Sequence, residues 1–333
     1  MRRRAWTGAR VVCAGLVLAA RVARVGADPF LDGLRGLGPG SLLAATAIGG
    51  ATTVCSAWRW QVVARGLGMD LPLPAAIAAC YRSQFLNSTL PGGVLGDVHR
   101  GVRHGAAVLD LGRGVRGVVW ERAAGQVVQA ALALAVLLVA PSPVHAAMPT
   151  VVSGLALVAV LLLLTSRGLL RHGPARLVQG LRGAAADVRA ALLQPAAWPP
   201  VVLASLLVVG THVGMFLLAA RAAGVDEPPR SLLPAALIVL LAAAIPLNVG
   251  GWGPREGVAA WVFAAAGWGA GAGTAVATAF GALVLAATLP GGLLLVAGGL
   301  RPRRGSSPSD DLDPAGSAGS VHSGARVDGA ADG

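Results

Sequence analysis

The chain has 333 residues, 55% of them hydrophobic and only 13% charged, with a mean hydropathy of +0.68. A water-soluble domain carries roughly a quarter charged residues, so a soluble enzyme is excluded, and the continuous rather than alternating apolar runs exclude a β-barrel. The formal net charge of +12 is carried entirely by arginine. Those arginines cluster between apolar runs, which points to acidic phospholipid head groups and not to nucleic acid as the partner.

From the amino terminus, Arg2, Arg3, Arg4 and Arg10 precede an apolar stretch at residues 11–20. It reads as an uncleaved first helix, because Arg21 and Arg24 stand where a signal-peptide cleavage site would lie. Residues 41–58 form the next predicted span. Trp58-Arg59-Trp60 closes it as an interfacial aromatic and cationic anchor, and Arg59 and Arg65 place that end in the cytoplasm. Pro72 and Pro74 open a helix whose apolar start gives way to Arg82, Ser83, Gln84, Asn87, Ser88 and Thr89. Leu90-Pro91-Gly92-Gly93-Val94-Leu95-Gly96-Asp97-Val98-His99-Arg100 follows. Hydrocarbon does not tolerate so many unpaired polar groups. The segment therefore reads as a re-entrant hairpin that leaves and returns to the cytoplasmic side.

Residues 117–140 form a span with a polar stripe. Arg122, Gln126 and Gln129 share one helical face, with Glu121 at its edge, and that face is expected to turn inward. Residues 150–166 return to the cytoplasm. Residues 167–195 carry Arg167, Arg171, Arg176, Arg182 and Arg189 against Asp187 alone, and read as a cytoplasmic connector along the membrane surface. Residues 198–220 cross outward. Residues 231–249 enter again and break at Asn248-Val249-Gly250-Gly251-Trp252-Gly253-Pro254-Arg255-Glu256. Residues 257–268 are too short for a full span, whereas residues 274–300 are long enough, and Arg301, Arg303 and Arg304 hold their end inside. Leu289-Pro290-Gly291-Gly292 reads as a chance echo of the first Gly-Gly break inside a plain span. Residues 305–333 lack large apolar residues and form a disordered polar tail, leaving residues 1–304 as the membrane domain.

The expected architecture is all-α: a polytopic helical membrane bundle of about six full spans plus two re-entrant or broken hairpins, of possible inverted-repeat arrangement. About eight complete spans result if both hairpins cross. The two breaks share their chemistry. The first carries Asn87, Gly92, Gly93, Asp97 and Arg100; the second carries Asn248, Gly250, Gly251, Arg255 and Glu256. Broken helices in corresponding halves point to a substrate site near the membrane midplane. Arg100 and Arg255 are candidate phosphate ligands, and Asp97 and Glu256 would neutralise them when the site is empty. Glu121 and Arg122 complete the substrate-binding set, an interhelical hydrogen-bonding role for Arg122 standing beside the binding role. Cys13, Cys55 and Cys80 show no metal-binding spacing and read as buried apolar thiols. No cofactor and no catalytic cluster is indicated.

Phe85, Asn87 and residues 90–100 resemble the F-x-N-x-x-L-P-G-G-x-x-G-D-x-x-R signature of the lysylphosphatidylglycerol synthase transmembrane-region family, also called flippase-like. Arg59-Trp60, Glu121-Arg122 and residues 250–256 are similar to its further motifs. The resemblance covers about residues 10–300 and implies movement of an aminoacylated or otherwise polar-headed lipid. The transferase domain fused to well-known members is expected to be absent here. The functional expectation is a lipid translocase in a bacterial-type plasma membrane, both termini cytoplasmic, acting on an anionic phospholipid or a polyprenyl-phosphate-linked lipid. Alternatives are a membrane-embedded transferase for a lipid-linked sugar or amino acid, and a non-catalytic partner of a separate transferase. Three glutamates in the whole chain make an acid–base cluster hard to assemble.

Overall fold

In the computed structural model, the described residues are 36–90, 93–140, 145–244 and 254–300. The expected first helix at residues 11–20, the site residues Gly92, Asn248, Gly250 and Gly251, Trp252 and the polar tail lie outside them. Among the described residues, helices are the only regular elements. In chain order they are α1 (Pro39–Gly66), α2 (Leu73–Thr89), α3 (Leu95–Ala107), α4 (Leu111–Val139), a 3-10 turn (His145–Ala147), α5 (Met148–His172), α6 (Ala175–Ala191), α7 (Trp198–Ala222), α8 (Pro229–Ala243), α9 (Pro254–Ala265) and α10 (Ala270–Leu300).

Four of these, α1, α4, α7 and α10, are long and apolar enough to cross a membrane. At 1.5 Å per residue they run from roughly 37 Å upward, more than the ~30 Å hydrocarbon core. Prolines at the first turns start α1, α2, α7 and α8, where the missing N–H is no loss. Asp110 caps α4, its side chain accepting from the Arg113 N–H at 2.8 Å. This cap starts α4 six residues ahead of the expected Gly117, so Arg113 and Arg116 belong to the helix.

The expected breaks fall between pairs of short helices. α2 and α3 have 17 and 13 residues, α8 and α9 have 15 and 12, and each is shorter than the ~20 residues a span needs. Gly93 takes a positive φ of 62° between α2 and α3, a backbone state that glycine enters without strain. Gly96 is required for a different reason. A Cβ there would lie 2.0 Å from the Ser83 carbonyl oxygen, so only glycine lets α3 fold back against α2.

Among the described residues, two main apolar cores stand out from four. The larger joins α7, α8, α9 and α10 around Phe216, Phe263 and Phe280, whose rings meet at 6.2 and 6.4 Å between centroids. The smaller joins α1, α2 and α4 around Trp60, Met69 and Cys80. α10 bridges the two, because it packs on α1 and α2 as well as on α9. Here the echo motif acquires a role. A Cβ on Gly291 would meet the Tyr81 carbonyl oxygen at 2.1 Å, and one on Gly292 would meet the Phe85 ring at 2.9 Å. These glycines let α10 and α2 approach backbone to backbone, as small residues do in membrane helix pairs.

The first interfacial anchor is corrected. α1 continues to Gly66, and Arg59 and Trp60 are buried within it at 6% and 1% exposure. The aromatic-cation-aromatic string suggested a helix end at the head groups; the helix runs on because Gln61, Val62, Val63 and Ala64 continue it.

Candidate functional site

α4 carries Glu121, the most enclosed charge among the described residues at 1% exposure. Arg59 of α1 donates to its Oε1 through Nε at 2.8 Å and Nη2 at 2.5 Å. Arg100 of α3 donates to its Oε2 through Nη2 at 2.8 Å. One carboxylate thus ties three helices. Arg59 also donates from Nη1 to the Ser205 hydroxyl of α7 at 3.1 Å, and that hydroxyl donates to the Val201 carbonyl oxygen at 2.7 Å. Gly125 sits one turn beyond Glu121, and any Cβ there would strike the Arg59 guanidinium at 2.6 Å.

Asp97 stands in the first turn of α3. Its Oδ1 accepts from the Ser83 hydroxyl at 2.9 Å and from Arg100 Nη2 at 3.1 Å. Its Oδ2 accepts from Asn87 Nδ2 at 2.9 Å and forms an ion pair with Arg122 of α4. Asn87 in turn accepts the Gly96 N–H at 2.8 Å, so it clasps the start of α3 by backbone and side chain together. The charges alternate in a chain: Arg59, Glu121, Arg100, Asp97, Arg122. Arg100 is 4% exposed, lies with its guanidinium carbon 4.5 Å from the centre of the Trp60 ring, and donates from Nη1 to Cys80 Sγ at 3.3 Å. The expected apolar thiol is therefore an acceptor in the network.

The second pair sits at the start of α9. Arg255 donates to Glu256 Oε1 through Nε at 3.1 Å and Nη2 at 2.5 Å, with its guanidinium carbon 5.3 Å from the Phe280 ring centre. Both pairs, with Glu121 and Arg122, line a cavity of about 650 Å³ between α1, α2, α3, α4, α7, α8, α9 and α10. Asn87, Gly93, Gln126 and Gln129 line it as well, so the polar stripe of α4 faces inward. Among the described residues, four arginines and three carboxylates reach its wall, an excess of one positive charge.

The site set read from the sequence left out Arg59, Ser83, Cys80, Ser205 and His212, all of which line this cavity. Ser83 and Asn87 are four residues apart on α2, a spacing that places both on the face toward Asp97. Nothing in the local sequence marks Ser205 or His212.

Residues 6–292 match the family described as the lysylphosphatidylglycerol synthase TM region. The chain belongs to this family. Neither the curated proteins nor the solved structures yielded a match. Its family and its apolar helices make it an integral membrane protein.

Proposed function

We propose that this domain is a lipid translocase that passes the head group of an anionic lipid, a phospholipid or a polyprenyl-phosphate-linked lipid, through its polar cavity. The observation that carries the reading is a cavity of about 650 Å³ with charged walls inside a bundle of membrane-spanning helices. Cavities of about 300–1,000 Å³ hold a ligand of drug size. That volume suits a polar head group and leaves the acyl chains to the surrounding lipid. A head group's charge is expensive in hydrocarbon, and fixed dipoles and ions along the path lower that expense. The one-unit positive excess favours an anion.

The wall is built to bind rather than to transfer a group. Asp97, Glu121 and Glu256 are each held by an arginine, which leaves these carboxylates poorly placed to take a proton from a nucleophile. The energy would come from an ion gradient or from mass action.

Purified protein in liposomes, offered fluorescent lipids that differ only in head group, tests the reading. Anionic lipids are expected to cross faster than in protein-free vesicles. Equal rates with and without protein for every lipid would refute it.

The orientation is part of the proposal. Arg167, Arg171, Arg176, Arg182 and Arg189 belong to the cytoplasmic face, and the loop bearing Asp226 and Glu227 to the outer one. α6, which bears three of these arginines, is docked on α4 by Asp187, which accepts from Arg116 Nε at 2.8 Å and from Trp120 Nε1 at 3.2 Å. A cysteine at position 182 should resist a membrane-impermeant thiol reagent in intact cells, and one at position 227 should react. The reverse pattern would invert the topology.

A further inference from the structure

The four cavity arginines are not equivalent. Arg59 spends all three guanidinium nitrogens on Glu121 and Ser205. Arg100 spends Nη1 and Nη2 on Cys80, Asp97 and Glu121, and its Nε is enclosed without a partner. Arg255 is held by two donors to Glu256 and is largely enclosed, its side chain 15% exposed. Arg122 differs. Its side chain is 46% exposed, it lines the cavity, and it reaches Asp97 through Nη2.

We infer that Arg122 is the cavity's exchangeable anion site, and that Asp97 is a built-in competitor which a phosphate monoanion displaces. The charge count supports this. The chain Arg59, Glu121, Arg100, Asp97, Arg122 holds three cations and two carboxylates, so one monoanion completes it. The hydrogen bonds support it too. When Arg122 turns to a phosphate, Asp97 keeps the Ser83 hydroxyl, the Asn87 amide and Arg100, so neither oxygen is orphaned. The exchange therefore replaces one charge-assisted contact by another and leaves no buried group uncompensated. Gln126, one turn along α4 and also on the cavity wall, supplies an amide donor beside the incoming oxygens. Such a site captures an anion and lets it go, because the protein's own carboxylate stands ready to reclaim the guanidinium.

The site's chemistry fits a phosphodiester of a lipid head group or free phosphate alike. The inference rests on the translocase reading only for the natural source of the anion. Binding, not transport, tests it, using the full chain in detergent. The probes are short-chain phosphatidylglycerol, short-chain phosphatidylcholine and inorganic phosphate, each measured by titration calorimetry. Arg122→Gln is expected to weaken phosphatidylglycerol binding about tenfold or more, the loss of one charge-assisted contact, with the melting temperature held. Arg122→Lys should fall between, lacking the forked geometry. Asp97→Asn, by removing the competitor, should tighten binding severalfold. Arg116→Gln, whose partner Asp187 is outside the cavity lining, serves as the unchanged control. A preference for the lipid over inorganic phosphate identifies a head-group site, and equal binding identifies a free-phosphate site; both support the exchange. Unchanged binding in a folded Arg122→Gln variant overturns it, as does weaker binding in folded Asp97→Asn. Intact binding with no lipid movement in liposomes would leave this site standing and remove the translocase reading instead.

Discussion

Replacing Glu121 with glutamine is expected to cost about 3–5 kcal/mol of stability, the range for breaking a buried ion pair from one side. Glu121 is the shared acceptor of Arg59 and Arg100, and all three are buried. The amide keeps the shape and one acceptor oxygen but loses the charge. Two guanidinium ions then remain enclosed, with Asp97 the nearest carboxylate in the network. Arg59→Gln should be milder, since Glu121 then keeps Arg100 on Oε2 at 2.8 Å, although its Oε1 and the Ser205 hydroxyl lose their Arg59 donors. The ordering of the two variants is the informative outcome. Melting of the purified protein in detergent, with the yield of folded protein, measures it. A Glu121→Gln variant that melts with the wild type would remove the hub role assigned to this carboxylate.

Gln126→Glu is expected to have the second large effect, on transport rather than on folding. The change is nearly isosteric and faces the cavity. It places a carboxylate one turn from Arg122 and takes the cavity from an excess of one positive charge to neutrality. At a separation of ~6 Å and an effective dielectric constant of ~20, the new pair gains about 3 kcal/mol. An anionic substrate would have to overcome that gain, so its transport should fall by roughly a hundredfold. A zwitterionic lipid, whose own cation meets the new carboxylate, should lose much less. Equal loss for both lipid types would point to a general collapse of the path and not to competition for Arg122.

Much of the architecture was legible in the sequence because hydrophobic length and charge placement are local properties. The spans now seen as α1, α4, α7 and α10 and the breaks after α2 and α8 follow from apolar runs and from proline and glycine. What escaped were pairings decided across the bundle. Arg59 looked like an interfacial anchor because its neighbours Trp58 and Trp60 are the residues expected at head groups. Only the position of Glu121 on α4, 62 residues away, makes it an inner-core ion. Gly291 and Gly292 were discounted against a background of 47 glycines, yet Tyr81 and Phe85 leave them no room for a side chain. The candidate set Asn87, Asp97, Arg100, Glu121, Arg122, Arg255 and Glu256 does line one cavity. The roles within it were not legible, because the sequence cannot tell an arginine locked by two carboxylates from one with a free side.

The central claim is that this cavity carries the head group of an anionic lipid. Its most direct test is the initial rate at which chain-labelled phosphatidylglycerol and phosphatidylcholine become accessible to an impermeant quencher in proteoliposomes, per folded molecule, for the wild type and Gln126→Glu. The expected result is faster movement of phosphatidylglycerol by the wild type and loss of that advantage in the variant. No protein-dependent movement of either lipid, or an advantage that survives Gln126→Glu undiminished, would contradict it.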